Sequence, residues 1–240
     1  MINAERFLIV NADDFGQTEA INAGIIEAYT HGIVTSASLM VRHPASAHAA
    51  ELARSHPRLS VGLHFDLGEW ACKGDDWHQV YSITDEDDPT TVAAEVAAQL
   101  EAFELLTGHP PTHIDSHQHI HRAGPTSKLL AEAARRLGVP LRGASGIAYR
   151  GDFYGQTAKG RPMPTMITVD ALVEFLKTLP LGWIELGCHP GLPDPDMTSM
   201  YTQERPIELA TLCSPQVREV IAQNAITLCS FRDAAGRPAD

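Results

Sequence analysis

The sequence predicts an α/β fold of about seven mostly parallel strands, with a single closed barrel favoured over an open doubly wound sheet. Three observations carry this. Short apolar runs alternate with longer helical ones along the 240 residues, the pattern of repeated β–α units. Asp13, Asp14, His64, Asp115, His117 and His189 fall beside different strand candidates, as expected when a site gathers at the carboxyl ends of barrel strands. No GxGxxG follows the first strand, which argues against a dinucleotide fold. The length suits one domain over residues 1–240 and is short for two.

Each element has its own signal. Phe7–Val10 is a compact apolar strand that leads into Asn11-Ala12-Asp13-Asp14-Phe15-Gly16. From Thr18 to His31, Ile21, Ile25 and Ala28 share a helical face, and Gly32 ends it. Ile33–Val41 reads as a second strand, Pro44 opens a helix ending near His56, and Leu59–Leu67 is a third strand with His64 inside it. Gly68–Pro89 carries Asp75, Asp76, Asp85, Glu86, Asp87 and Asp88 among aromatics. It reads as a long irregular excursion, either the wall of a cleft or a solvated loop. Val92, Val96, Leu100, Phe103 and Leu106 form the apolar stripe of a helix over Thr91–Leu106.

Thr112–Ser116 is the next strand, followed by a helix over Pro125–Leu137 and a short strand over Val139–Arg142. Gly143–Pro164 is glycine-rich and aperiodic, so it reads as a loop. Leu172, Val173, Leu176 and Leu179 mark a helix before the strand Trp183–Gly187, and a helix over Gln216–Gln223 precedes the strand Ile226–Cys229.

Composition narrows the function classes. Thirty acidic against 18 basic residues give a formal charge of −12, which disfavours nucleic acid and anionic membrane surfaces as partners. Cys72, Cys188, Cys213 and Cys229 form no CxxC pair, so neither a disulfide scaffold nor a thiolate zinc site is expected. No basic region precedes a long apolar run at the amino terminus. A secretory signal and membrane insertion are therefore not expected, and the cytoplasm is the expected location. A homodimer is compatible with this composition, which locates no interface.

The chemistry concentrates in histidines and aspartates. Adjacent Asp13 and Asp14 after a strand point to opposite sides in extended backbone, so one can ligate a metal while the other acts as a base; helix capping is the plainer alternative. Asp115-Ser116-His117-Gln118-His119-Ile120-His121 places three imidazoles and a carboxylate in seven residues. A strand would set Asp115, His117, His119 and His121 on one face, whereas a helix would pair His117 with His121. Such a face suits a divalent ion better than a hydrogen-bonded network. His64 sits in an apolar strand that would not hold an imidazole without a partner. An aspartate with two histidines leaves positions open for water and substrate. His189, before Pro190 and Gly191, reads either as a proton donor facing the same mouth or as a plain turn residue. Trp70, Trp77 and Tyr81 offer flat faces for sugar stacking or for packing within their own segment.

These motifs resemble the YdjC-like carbohydrate deacetylases, which include chitooligosaccharide deacetylases and a hopanoid-associated branch. The matching pieces are Asn11–Gly16, His31-Gly32-Ile33-Val34-Thr35-Ser36, Gly62-Leu63-His64, Thr112–His121 and His189-Pro190-Gly191, spread over residues 7–191. The resemblance implies a distorted TIM-like barrel, a divalent ion (Mg²⁺ or Zn²⁺), and hydrolytic removal of acetyl from an N-acetylated sugar. It implies a metal triad of Asp14, His64 and His117, with His121 the alternative to His117. Through further similarity to NodB-like polysaccharide deacetylases Asp13 is implied as general base, and the resemblance gives His189 as the acid or a transition-state partner. Asp115, His119, His121 and Trp70 are expected behind the ligands or facing substrate. The substrate expected is a short N-acetylglucosamine-type saccharide. Hydrolysis of another amide or an ester, and a non-catalytic metal-stabilised carbohydrate-binding protein, are the alternative functions. Phe65–Pro89 departs from the wall of chitooligosaccharide members, which bears on sugar identity rather than on metal chemistry.

Overall fold

The computed structural model describes residues 5–234. Its parallel strands are β1 (Arg6–Phe15), β2 (Ser36–Leu39), β3 (Ser60–Phe65), β6 (Ile114–Ser116), β7 (Ala148–Arg150), β8 (Gly182–Cys188) and β9 (Ile226–Cys229). They form one curled seven-stranded sheet in the order β6-β3-β2-β1-β8-β7, with β9 beside the first half of β1. Helices α1 (Glu19–His31), α2 (Ser46–Ser55), α3 (Pro89–Thr107), α4 (Gly124–Leu137), α5 (Val169–Lys177), α6 (Glu204–Leu212), α7 (Pro215–Gln223) and α8 (Phe231–Ala234) accompany it. The α/β, distorted barrel expectation holds, but without closure: among the described residues the end strands β6 and β7 do not pair. The hydrogen-bonded ladder runs from an isolated bridge at Leu141 on β6 round to β7.

The helices begin and end where their sequences dictate. Thr18 caps α1 by accepting from the Ile21 amide, and Asp88 with Pro89 opens α3. Gly108 closes α3 in the left-handed conformation, at φ +81°. Along the strands the alternation is sharp. Leu8, Val10, Ala37, Leu39, Val61, Leu63, Ile184 and Leu186 join Ile21, Ile25, Val92, Leu130 and Leu172 in the apolar layer between sheet and helices. The alternate residues point inward, where Ile9, Ile147, Cys229 and Phe231 form a small apolar floor.

Four expectations change. Gly68–Pro89 is not irregular: β4 (Gly68–Lys73) and β5 (Asp76–Ser82) form an antiparallel hairpin. The signal was Gly74-Asp75, with Gly74 at φ +69° in a two-residue turn. The strand expected over Val139–Arg142 shrinks to the Leu141–Ile114 bridge, and β7 appears instead inside the expected loop Gly143–Pro164. Helix α6, for which no element was expected, has no clear apolar stripe because Glu204, Arg205, Glu208 and Thr211 are among its buried residues. His117–Arg122 is neither strand nor regular helix but 3₁₀ turns interrupted by left-handed Gln118 and His119, so the histidines do not share one face.

Candidate functional site

The carboxyl ends of β1, β3 and β6 and the segment after β8 meet at one mouth of the barrel. They open on a cleft of about 510 Å³ whose lining includes Asp13, Asp14, His64, His117, His119 and His189. Strand β1 reaches this mouth with a register shift between Ala12 and Phe15 against β2, and Asp14 takes φ +67°. A bulge with one left-handed residue re-aims a strand end. Both aspartates consequently line the cleft, rather than facing opposite ways as extended backbone would require.

Asp14, His64 and His117 each offer a ligand atom, all within 4.8 Å of one another. Asp14 Oδ1 lies 3.3 Å from His64 Nε2 and 3.1 Å from His117 Nδ1, while Asp14 Oδ2 accepts from Arg205 Nη2 at 2.6 Å. His64 Nδ1 is engaged by Asp115 Oδ1 at 2.7 Å, which turns Nε2 towards Asp14. A carboxylate behind an imidazole in this way fixes the ring for metal binding. His117 Nε2 is buried with no hydrogen-bond partner among the described residues. A carboxylate oxygen turned to two imidazole nitrogens fits a divalent ion. A second cluster, Asp13, His64 and Asp115, fits less well because Arg142 already grips both of its carboxylates. His121 stands apart from both clusters, its Nδ1 bound to Ser116 Oγ at 2.6 Å.

Charge in this interior is balanced by two arginines. Arg142, fully buried, reaches Asp13 Oδ2 and Oδ1 at 2.7 Å each, Asp115 Oδ2 at 2.7 Å and Glu185 Oε1 at 2.7 Å. Burial opposes the charged form of Asp13, but the Arg142 guanidinium outweighs it and holds the carboxyl below its ordinary range. Burial likewise works against Asp14, and Arg205 with the two histidines overrides it. Burial pushes Glu185 up to about 7 despite Arg142, and Glu208 up to about 8.

His189 follows β8, with Nε2 at 3.8 Å from Asp13 Oδ2. Its backbone amide donates to Glu208 Oε2 at 2.5 Å, and Tyr201 Oη donates to the other oxygen of Glu208. Burial drives the His189 imidazole down to about 4, over the opposing pull of Asp13 and Asp14. His119 lines the cleft beside Tyr149, whose Oη is 3.4 Å from His119 Nε2. Gly187 makes room for that tyrosine: a Cβ there would stand 2.8 Å from Tyr149 Oη.

Of the three aromatics, Trp77 lines the cleft. Trp70 lies in a separate groove with Gln79 and Asp85–Asp87, and Tyr81 donates to Asp66 Oδ2 at 2.8 Å. Sequence reasoning missed Arg142, Arg205, Glu185, Glu208 and Glu69. Glu185 was detectable, since a carboxylate inside the apolar run Trp183–Gly187 is the same anomaly as His64. Arg205 and Glu208 had no such signal, because the apolar pattern of α6 is absent.

The curled parallel barrel with an aspartate and two histidines at its mouth defines an α/β barrel protein with a candidate metal centre. The YdjC-like protein family model matches residues 7–223, and the chain belongs to that family. It is 33% identical to a carbohydrate deacetylase of Geobacillus stearothermophilus, over 95% of this chain and 98% of the relative. It is 34% identical to a chitooligosaccharide deacetylase of Yersinia pestis, over 95% and 99%. Among solved structures, a protein of Enterococcus faecalis named as a candidate cellobiose-phosphate cleavage protein aligns with TM-score 0.79 and 27% identity, covering 96% of this chain and 99% of its own. A family 4 carbohydrate esterase of Streptomyces lividans shares the fold at TM-score 0.52 and 11% identity, covering 99% of each chain.

Proposed function

We propose that the protein is a metal-dependent hydrolase that removes the acetyl group from an N-acetylated sugar. The observation that carries this is the convergence of Asp14, His64 and His117 beside an arginine-braced Asp13 and a cleft-facing His189. The deacetylase names of the relatives support the same reading. Asp14, His64 and His117 would hold the ion, and two imidazoles with one carboxylate suit Zn²⁺ better than the oxygen-seeking Mg²⁺. Bound there, the ion supplies Lewis acidity for water and the acetyl carbonyl.

The chain's own residues do the rest. Arg142 fixes both oxygens of Asp13 and keeps it ionised, so Asp13 can accept the proton of the attacking water. Water adds to the carbonyl carbon, the C–N bond breaks, acetate leaves and the nitrogen takes up a proton. His189 is neutral at rest, so the proton it delivers to that nitrogen comes from the water by way of Asp13. Trp77 gives the cleft a flat apolar face for a neutral sugar ring, and the volume suits a short saccharide. Four free cysteines and the absence, among the described residues, of any helix long and apolar enough to cross a membrane fit the cytoplasm as the setting.

The test is acetate release from a panel of N-acetylated mono-, di- and oligosaccharides by zinc- or magnesium-loaded protein. Release from a short neutral N-acetylglucosamine compound, abolished by chelator and restored by metal, is expected. Loaded protein that frees no acetate from any member of the panel would overturn the reading.

A further inference from the structure

We propose that the β4–β5 hairpin is keyed to the metal ligand His117, with Gln118 and Glu69 as positioning residues; this rests on the metal reading of Asp14, His64 and His117. Two consecutive hairpin residues, Glu69 and Trp70, meet two consecutive residues of the histidine loop, His117 and Gln118.

The Gln118 contact is a matched pair. Its side-chain Oε1 accepts from the Trp70 amide at 3.0 Å and its Nε2 donates to the Trp70 carbonyl at 2.7 Å. A primary amide here stands in for a neighbouring strand on the open edge of β4. Gln118 does this from φ 48°, ψ 24°, with His119 also left-handed at φ 57°. Such conformations are costly for non-glycine residues and persist only when their surroundings hold them. The grip on Trp70 is one such hold, and His117 is the residue immediately before Gln118.

The hairpin is shaped to answer. Glu69 pairs with Tyr81 but Trp70 pairs with Gln79, so Val80 is extra and β5 bulges at this point. Bulges re-aim side chains. Glu69 is turned inward and buried, at 4% exposure. Its Oε1 accepts from Ser199 Oγ at 2.8 Å, and its Oε2 faces His117 Nε2 at 3.8 Å. That nitrogen has no hydrogen-bond partner among the described residues, whereas His117 Nδ1 is turned to Asp14. Glu69 thus stands behind His117 as Asp115 stands behind His64, at ion-pair rather than hydrogen-bond distance. One of these carboxylates belongs to the barrel and the other to the cleft wall that carries Trp77. Saccharide against the wall and metal in the barrel are therefore linked through His117, and any effect of one on the affinity of the other is reciprocal.

The experiment titrates the folded, metal-free chain with Co²⁺ by calorimetry and visible absorption, for wild type, Glu69→Gln, Gln118→Glu and Gln118→Gly. E69Q keeps an acceptor for Ser199 but removes the charge facing His117. Q118E keeps the acceptor for Trp70 N–H and loses the donor, and Q118G removes the grip while relieving the left-handed strain. Each variant is expected to weaken Co²⁺ binding by about 10-fold or more and to shift the cobalt absorption bands, with Tm of the metal-free protein held or, for Q118G, raised. Wild-type affinity and spectrum in both E69Q and Q118G would overturn the keying while leaving the metal site intact. Wild-type protein that takes up no cobalt would overturn the metal reading and this proposal with it.

Discussion

The two faces of the parallel sheet obey opposite rules. Outward, Leu8, Val10, Leu63, Ile184 and Leu186 pack against helices in one apolar layer. Inward, on the alternate residues of the same strands, Asn11, Asp13, Ser38, His64, Asp115 and Glu185 are all buried and polar. The outer face gains from water exclusion and tolerates exchange of one apolar shape for another. The inner face survives burial only because every charge has a counter-charge and nearly every polar atom a partner. Period-two alternation, which in most sheets separates core from solvent, here separates fold from chemistry.

The largest effects should come from breaking the inner face at its reacting groups. His64→Ala should abolish both metal uptake and acetate release, because it removes a proposed ligand. Asp13→Asn should keep the metal while lowering kcat by about 10²–10⁴-fold. Metal content and turnover measured on the same preparations distinguish the two, and near-normal turnover in D13N would reassign Asp13 to orientation alone.

Next in size is the arginine. Arg142→Met leaves Asp13, Asp115 and Glu185 facing one another without their cation, a loss of about 3–5 kcal/mol. Leu172→Ala, on the outer face, should cost a comparable 2–5 kcal/mol. Urea unfolding reads both. The comparison sharpens in the folded fraction, where L172A should keep wild-type kcat and R142M should not.

A smaller effect depends on pH. Burial raises Glu185 to about 7 in the folded protein, against about 4.3 when unfolded. Between those values the folded state holds a proton that the unfolded state has released, so this group's contribution to stability falls as pH rises through the window. The slope is at most about 1.4 kcal/mol per pH unit. Glu185→Gln keeps an acceptor for Arg142 Nε and carries no charge. Its Tm relative to wild type should therefore rise between pH 5 and pH 7.5, and a constant difference would show that Glu185 is ionised throughout.

The smallest effect should lie on the cleft wall. Trp77→Ala should raise KM for an N-acetylated disaccharide by several-fold with kcat nearly unchanged, since base–acid geometry is set inside the barrel. An unchanged KM would move sugar recognition to Tyr149 and Tyr154.

The outer face was the more legible one. Strand β8, helix α1 and helix α3 announced themselves through apolar period, and Thr18 and Gly108 marked their ends. On the inner face legibility depended on contrast. His64 stood out because a lone imidazole interrupts an apolar strand, and His117 because it sits in a dense histidine run. Arg142 did not, since a charged residue at the end of a short strand looks like ordinary surface. Which of His117 and His121 would reach the mouth was decided by backbone conformation: left-handed Gln118 and His119 break the period on which any face assignment depends. Hairpin β4–β5 was hidden by its acidic composition, although Gly74-Asp75 carried the turn.

The position of β9 has a consequence for assembly. Arg6–Ile9 are gripped by Ile226–Cys229 on one side and by residues of β8 on the other. Just beyond β9, Phe231 stacks on His113 with ring centroids 3.7 Å apart, closing the floor of the barrel. The strand that presents Asp13 and Asp14 is thus anchored by partners lying more than 170 residues away along the chain, as Arg6 with Gly182 shows. Pairings this distant are slow to form, because a long stretch of chain must be ordered before they repay it. A nascent chain that has emerged only as far as α5 would hold every candidate metal ligand yet lack both neighbours of the first half of β1. The proposed metal capture should therefore trail synthesis of β8 and β9, which would tie acquisition of the ion to near-completion of the barrel.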